Sequence, residues 1–111
     1  MNLNTMDTQA WLEICQSCIR ACETAANTVM DLDLIEQMPG YTQICWQCAD
    51  ACTMASRFIA NNSPLAQEVW QACAEACELA LFESENYDDD FCDAVRIACQ
   101  ECIALTEQVL K

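Results

Sequence analysis

Two nine-residue segments carry one cysteine pattern. Ile14–Cys22 places cysteines at 15, 18 and 22, and Ile44–Cys52 places them at 45, 48 and 52. Residues three, four and seven apart share one face of an α-helix. Each trio is therefore a column of thiols down one side of a helix. Ala25 and Ala55 follow at equal spacing, and Ala72–Cys77 is a weaker copy in which Trp70 stands where a third cysteine would be.

The rest of the chain agrees with helices. Gly40, Pro39 and Pro64 are its only breakers, which leaves long uninterrupted segments. The pattern predicts a first helix from about Asp7 to Val29 and a linker over Met30–Gly40. A second helix spans about Tyr41 to Ala60. Asn61-Asn62-Ser63-Pro64 stops it and starts a third, with Ser63 as N-cap and Pro64 at the first helical position. The third ends near Phe82, and an acidic loop, Glu83–Asp90, leads to a fourth over about Asp88–Leu110. Asp88, Asp89 and Asp90 suit the positive dipole end of that helix.

Each segment carries a seam in a 4-3-4-3 rhythm. The seams read Trp11, Cys15, Cys18, Cys22, Ala25, Val29; then Tyr41, Cys45, Cys48, Cys52, Ala55, Ile59; then Ala66, Trp70, Cys73, Cys77, Ala80, Ser84; then Cys92, Val95, Cys99, Cys102, Thr106, Val109. All eleven cysteines fall on them. Short connections favour antiparallel neighbours. The expected fold is all-α: one domain, residues 1–111, an up-down-up-down four-helix bundle with a cysteine-lined core.

Charge and composition remove several function classes. Eighteen acidic residues against four basic ones give a net charge of −14. Nothing here neutralises a run of phosphates, so nucleic acid is excluded as a partner, and an anionic membrane surface is disfavoured. The polar start, Met1–Asp7, has no basic region followed by an apolar one, and no apolar run approaches the roughly 20 residues of a membrane span. The expected location is the cytoplasm, where thiols stay reduced. The odd cysteine count forbids complete intramolecular pairing. With no histidine, a Cys/His zinc finger and a histidine-based triad are ruled out. An enzyme using one reactive thiol would want a lone cysteine beside a base or cation. Arg20, Arg57 and Arg96 read instead as solvated helix-face residues, so no catalytic role is expected.

Cysteine is a small hydrophobe that packs well in cores, but alanine or valine would fill the space without the risk of oxidation. Eleven on one set of seams point to soft-metal binding by Cys15, Cys18, Cys22, Cys45, Cys48, Cys52, Cys73, Cys77, Cys92, Cys99 and Cys102. Thiolates suit Cu(I), zinc and iron–sulfur clusters. Four thiolates around Zn(II) leave two negative charges per site, which is costly when repeated in an apolar core. Cu(I) bridged between thiolates approaches one metal per sulfur and is nearly neutral. Zinc or iron–sulfur binding, with a sequestration or redox role, stays as the alternative.

Repeated Cys-x2-Cys-x3-Cys helices in a chain of this length resemble the cysteine-rich four-helix-bundle copper storage proteins, and the absence of a leader resembles their cytosolic branch. Cys15/Cys18/Cys22 and Cys45/Cys48/Cys52 carry the likeness most strongly; Cys73/Cys77 and Cys92/Cys99/Cys102 match more loosely. The resemblance implies storage or buffering of many Cu(I) ions by core cysteines, a homo-oligomer that is commonly a tetramer, and exchange with a copper-donor or acceptor protein. Trp46 and Phe58, off the seam, are expected to cover the flank or a subunit contact.

The two longer connections should meet at one end of the bundle. They bring Asp31, Asp33, Glu36, Glu83, Glu85, Asp88, Asp89 and Asp90 together there, eight of the eighteen acids. Cations should concentrate at that end, where Met30, Met38 and Cys92 are candidate first soft ligands. Ordinary packing is the bland reading for the two methionines.

Overall fold

The computed structural model describes residues 5–110. It has four α-helices, α1 (Thr5–Asp31), α2 (Tyr41–Ala60), α3 (Ala66–Ser84) and α4 (Asp90–Leu110), and no strand among the described residues. Each helix packs against its two neighbours: α1 on α2, α2 on α3, α3 on α4, and α4 back on α1. That is the up-down-up-down bundle the short connections require. It is a rod, 44 Å long against 20 and 18 Å across. No described helix is long and apolar enough to cross a membrane.

The helix ends show how the chain turns. Asp33 takes the left-handed conformation (φ 56). Its amide bonds to the Met30 carbonyl, and the Leu34 amide reaches back to Val29 at 2.8 Å. This paired closure satisfies the last free carbonyls of α1. Asn62 (φ 54) closes α2 the same way, with its own amide on Ile59 and the Ser63 amide on Phe58. Asparagine tolerates this conformation better than most non-glycine residues. Gly40 (φ 77) precedes Tyr41. That sharp turn lets the first residue of α2 face inward.

Several boundaries differ from the sequence reading. The first helix starts at Thr5 and runs on to Asp31, because nothing breaks it before Asp33 turns left-handed. The third helix starts at Ala66 rather than at Pro64, and Leu65 makes no side-chain cap. Ser63 spends its hydroxyl on the Leu65 amide, 3.1 Å away and two residues on, a serine turn that precedes the helix instead of capping it. The third helix continues past Phe82 to Ser84, and α4 starts at Asp90, not Asp88. The Cys92 and Asp93 amides bond to the Asp89 carbonyl, so Asp89 is the residue that hands the chain into the helix.

The seams are the core. Every seam position is buried except Val109, which is half-buried near the end of α4. Ala26, Ala49, Ala74 and Ala98 are buried beside them. These small residues let neighbouring helices approach closely while the cysteines fill the centre.

Candidate metal centre

All eleven cysteines are fully buried, and none is paired in a disulfide. Antiparallel packing interleaves the four seams, so sulfurs from different helices come level. The Sγ atoms of Cys52 and Cys73 are 3.3 Å apart, and those of Cys48 and Cys77 are 3.7 Å apart. Three groups have all their sulfurs within 4.8 Å of one another: Cys18/Cys77/Cys102, Cys22/Cys48/Cys99 and Cys48/Cys52/Cys77. Cys48 and Cys77 each belong to two groups, so the groups form one continuous cluster with contributions from all four helices.

These separations suit bridging ions. Metal–thiolate bonds are about 2.3 Å, as in zinc sites, so two sulfurs facing each other across an ion stand about 4.6 Å apart. The Cys52–Cys73 and Cys48–Cys77 pairs stand closer than that and serve as S–H···S contacts without metal.

The remaining cysteines lie at the two ends. Cys15 donates its thiol proton to the Cys52 carbonyl at 2.9 Å. Ser56 Oγ lies 3.0 Å from the same sulfur and 2.8 Å from that carbonyl. Cys18, a member of the first group, donates to the Ala98 carbonyl at 3.1 Å. At the opposite end Tyr41, Cys45 and Cys92 are all fully buried, and the Tyr41 hydroxyl lies near enough to both thiols to influence their protonation. Ser56 escaped the sequence reading because it sits one residue off the seam, beside Ala55.

The buried thiols influence one another's protonation along the column. Cys22, Cys52 and Cys77 are pushed up, foremost by the neighbouring thiols of Cys45, Cys15 and Cys102 respectively. Cys48 is drawn down, foremost because it accepts from Cys22. Burial pushes Cys92 up, and the Asp89 carboxylate adds to it. For Cys15 the Cys52 contact lowers the thiol, but Cys73 and burial outweigh it and push the thiol up to about 12 from an ordinary 9.0.

That shift carries a pH signature. A thiol held above its unfolded value contributes stability below that value and loses it as pH rises through the folded one. The reduced apoprotein should therefore lose stability progressively between pH 9.0 and about 12, as Cys15 ionises in the unfolded chain while the buried thiol stays protonated. Metal loading, which replaces the proton, should flatten the fall. Anaerobic urea midpoints across that window, with and without Cu(I), check this; a flat apo curve contradicts it.

Arg96 is the main departure from the sequence reading. It is not a free helix-face cation. Its guanidinium donates to the Ser84 and Tyr87 carbonyls and pairs with Asp93, tying the α3–α4 connection to α4. Arg20 and Arg57 are exposed as expected. Met38 is 3% exposed and belongs to the core cluster, because its turn folds it under the α1–α2 connection. Of the two methionines, Met30, on the last turn of α1, is the exposed one. Trp46 is exposed and Phe58 half-buried.

The comparisons with known proteins fall on this architecture. The profile of a family described as copper storage protein, Csp, matches residues 4–111. A cysteine-rich protein of Bacillus subtilis strain 168, YhjQ, is 28% identical over 94 residues, covering 85% of this chain and 87% of that protein. The Cu(I)-bound copper storage protein BsCsp3 superposes with a TM-score of 0.89 at 26% identity, over 95% of this chain and 99% of that one. Apo Csp3 from Bacillus subtilis superposes with a TM-score of 0.74 at 25% identity, over 89% of this chain and 98% of that one.

Proposed function

The chain belongs to the copper storage protein family, and on that premise we propose that its eleven core cysteines are ligands for many Cu(I) ions held as a store or buffer. One observation carries the reading: seven cysteines from four helices form overlapping groups that share Cys48 and Cys77. Discrete sites would keep separate ligand sets. Shared sulfurs suit ions bridged in series, each thiolate serving two metals. Because such a column is nearly neutral, it tolerates the apolar interior better than repeated zinc tetrathiolates would. Iron–sulfur proteins gather cysteines on loops around a cluster, whereas these stand on regular helices.

In this reading residues 1–111 act as one metal-binding domain without a catalytic role. The cytoplasm is its place, since reduced thiols are required. Exposed Trp46, Leu79 and Ile97 support a homo-oligomer, a tetramer as the family suggests. A copper-donor or acceptor protein supplies and withdraws the metal.

Anaerobic titration of the reduced apoprotein, with copper and thiol quantified together, tests the store. Near one-to-one pairing of ions and thiolates gives roughly ten Cu(I) per chain. Saturation at one or two ions, or Zn(II) displacing Cu(I), contradicts it.

A further inference from the structure

The sulfur column is closed at both ends, in different ways. At one end Trp11 and Trp70 are fully buried, with ring centroids 5.1 Å apart. The Trp70 indole N–H donates to Thr106 Oγ1 at 2.8 Å, and that hydroxyl donates to the Cys102 carbonyl. Both indoles stand within helices, several residues from the helix ends. Opening this end means expelling two large aromatic side chains from the core.

At the other end one contact between hydroxyls joins two helix termini. Tyr41 Oη and Ser84 Oγ are 2.6 Å apart, and both residues are fully buried. Tyr41 is the first residue of α2 and Ser84 the last of α3. Cys45 stands one turn after Tyr41 on the α2 seam, and Cys92 is the third residue of α4 at the same end, so these are the sulfurs nearest the contact. The Tyr41 ring packs edge-on to Tyr87, with centroids 5.5 Å apart. Arg96 fixes the Ser84 and Tyr87 carbonyls, so Ser84 is the anchored half of the contact and Tyr41 the half free to leave.

We propose that Tyr41 and Ser84 form the gate of the sulfur column: Cu(I) reaches or leaves Cys45 and Cys92 only when the Tyr41 phenol swings away from Ser84. The gate rests on the Cu(I)-storage reading, and its residues set exchange rates without adding a ligand. Three features make this the end that opens. Helix termini open locally at far lower cost than helix interiors. Gly40, directly before Tyr41, gives the backbone a joint about which the first turn of α2 can move. The eight acids in and beside the two adjoining connections raise the local cation concentration there.

The test compares capacity with rate. Tyr41→Phe keeps the ring and loses the hydroxyl; Ser84→Ala keeps the ring and removes its partner. Cu(I) is supplied from a weak chromogenic chelator in stopped flow, and withdrawn by a strong one. Both variants should bind as many ions as the unaltered protein, while loading and unloading quicken by roughly two- to tenfold, the size expected for one buried hydrogen bond. Thr106→Val loosens the tryptophan end by a similar contact and should lower stability without quickening exchange. Unchanged rates in Tyr41→Phe and Ser84→Ala overturn the gate alone. So does equal quickening in Thr106→Val, since exchange would then follow overall stability. A capacity of one or two ions in the unaltered protein overturns the storage reading together with the gate.

Discussion

Replacing Trp70 with alanine should cost the apoprotein about 3–5 kcal/mol, the range for deleting a large buried aromatic side chain. The indole is fully buried against Trp11 and is bonded through its N–H to Thr106. Its removal leaves a cavity, deprives Trp11 of a ring neighbour and takes a donor from the Thr106 hydroxyl. The cysteines cannot compensate, because each thiol is a small group that contributes little apolar area. Cys73 and Cys15, the nearest seam residues on their helices, should stay in place. Near-full Cu(I) capacity is therefore expected once metal is present, and loading should restore much of the lost stability by mass action. Urea unfolding of the reduced apo and loaded proteins, followed by circular dichroism, measures both effects. A loss below about 1 kcal/mol would mean that the thiol column, not the tryptophan pair, holds that end together.

The seams were legible because helical periodicity says which face of each segment is apolar. Twenty-three of the twenty-four seam positions proved buried, and Val109 alone is half-buried. Periodicity says nothing about how far one helix slides along another, so the levels at which sulfurs meet could not be read. Cys48 pairs with Cys77 and Cys52 with Cys73 because α2 and α3 run antiparallel from the tight turn at Asn61–Leu65. The same limit hid the Tyr41–Ser84 and Trp70–Thr106 bonds. All four residues were placed on seams, yet their partners are set by packing between helices. Local chemistry misled at Ser63 and Arg96. A serine before proline has the signature of a helix cap, but its hydroxyl closes a turn instead. An arginine with an acidic residue three positions earlier looks solvated, but backbone carbonyls from α3 and the connection after it claim its guanidinium.

The position of a cysteine in the column should matter more than the number of cysteines. Two triple variants separate these factors. Cys48/Cys52/Cys77→Ala removes the middle, including both sulfurs that belong to two groups. Cys15/Cys45/Cys92→Ala removes three that lie outside every close group. Eleven minus three leaves eight thiols in each. If every thiol held copper independently, the two would bind alike. In a bridged column a shared sulfur supplies bonds to two ions, so losing it strands its neighbours. The middle variant keeps Cys18 with Cys102 and Cys22 with Cys99, but breaks all three groups. The outer variant keeps them intact and should bind roughly seven or eight Cu(I), against about half as many for the middle one. Each alanine should cost about 1 kcal/mol of apo stability, a similar sum in both, so circular dichroism should show both still helical. Anaerobic Cu(I) titration of the two reduced proteins side by side decides the matter. Equal capacities would show that the ions sit independently and that the shared positions of Cys48 and Cys77 have no part in storage.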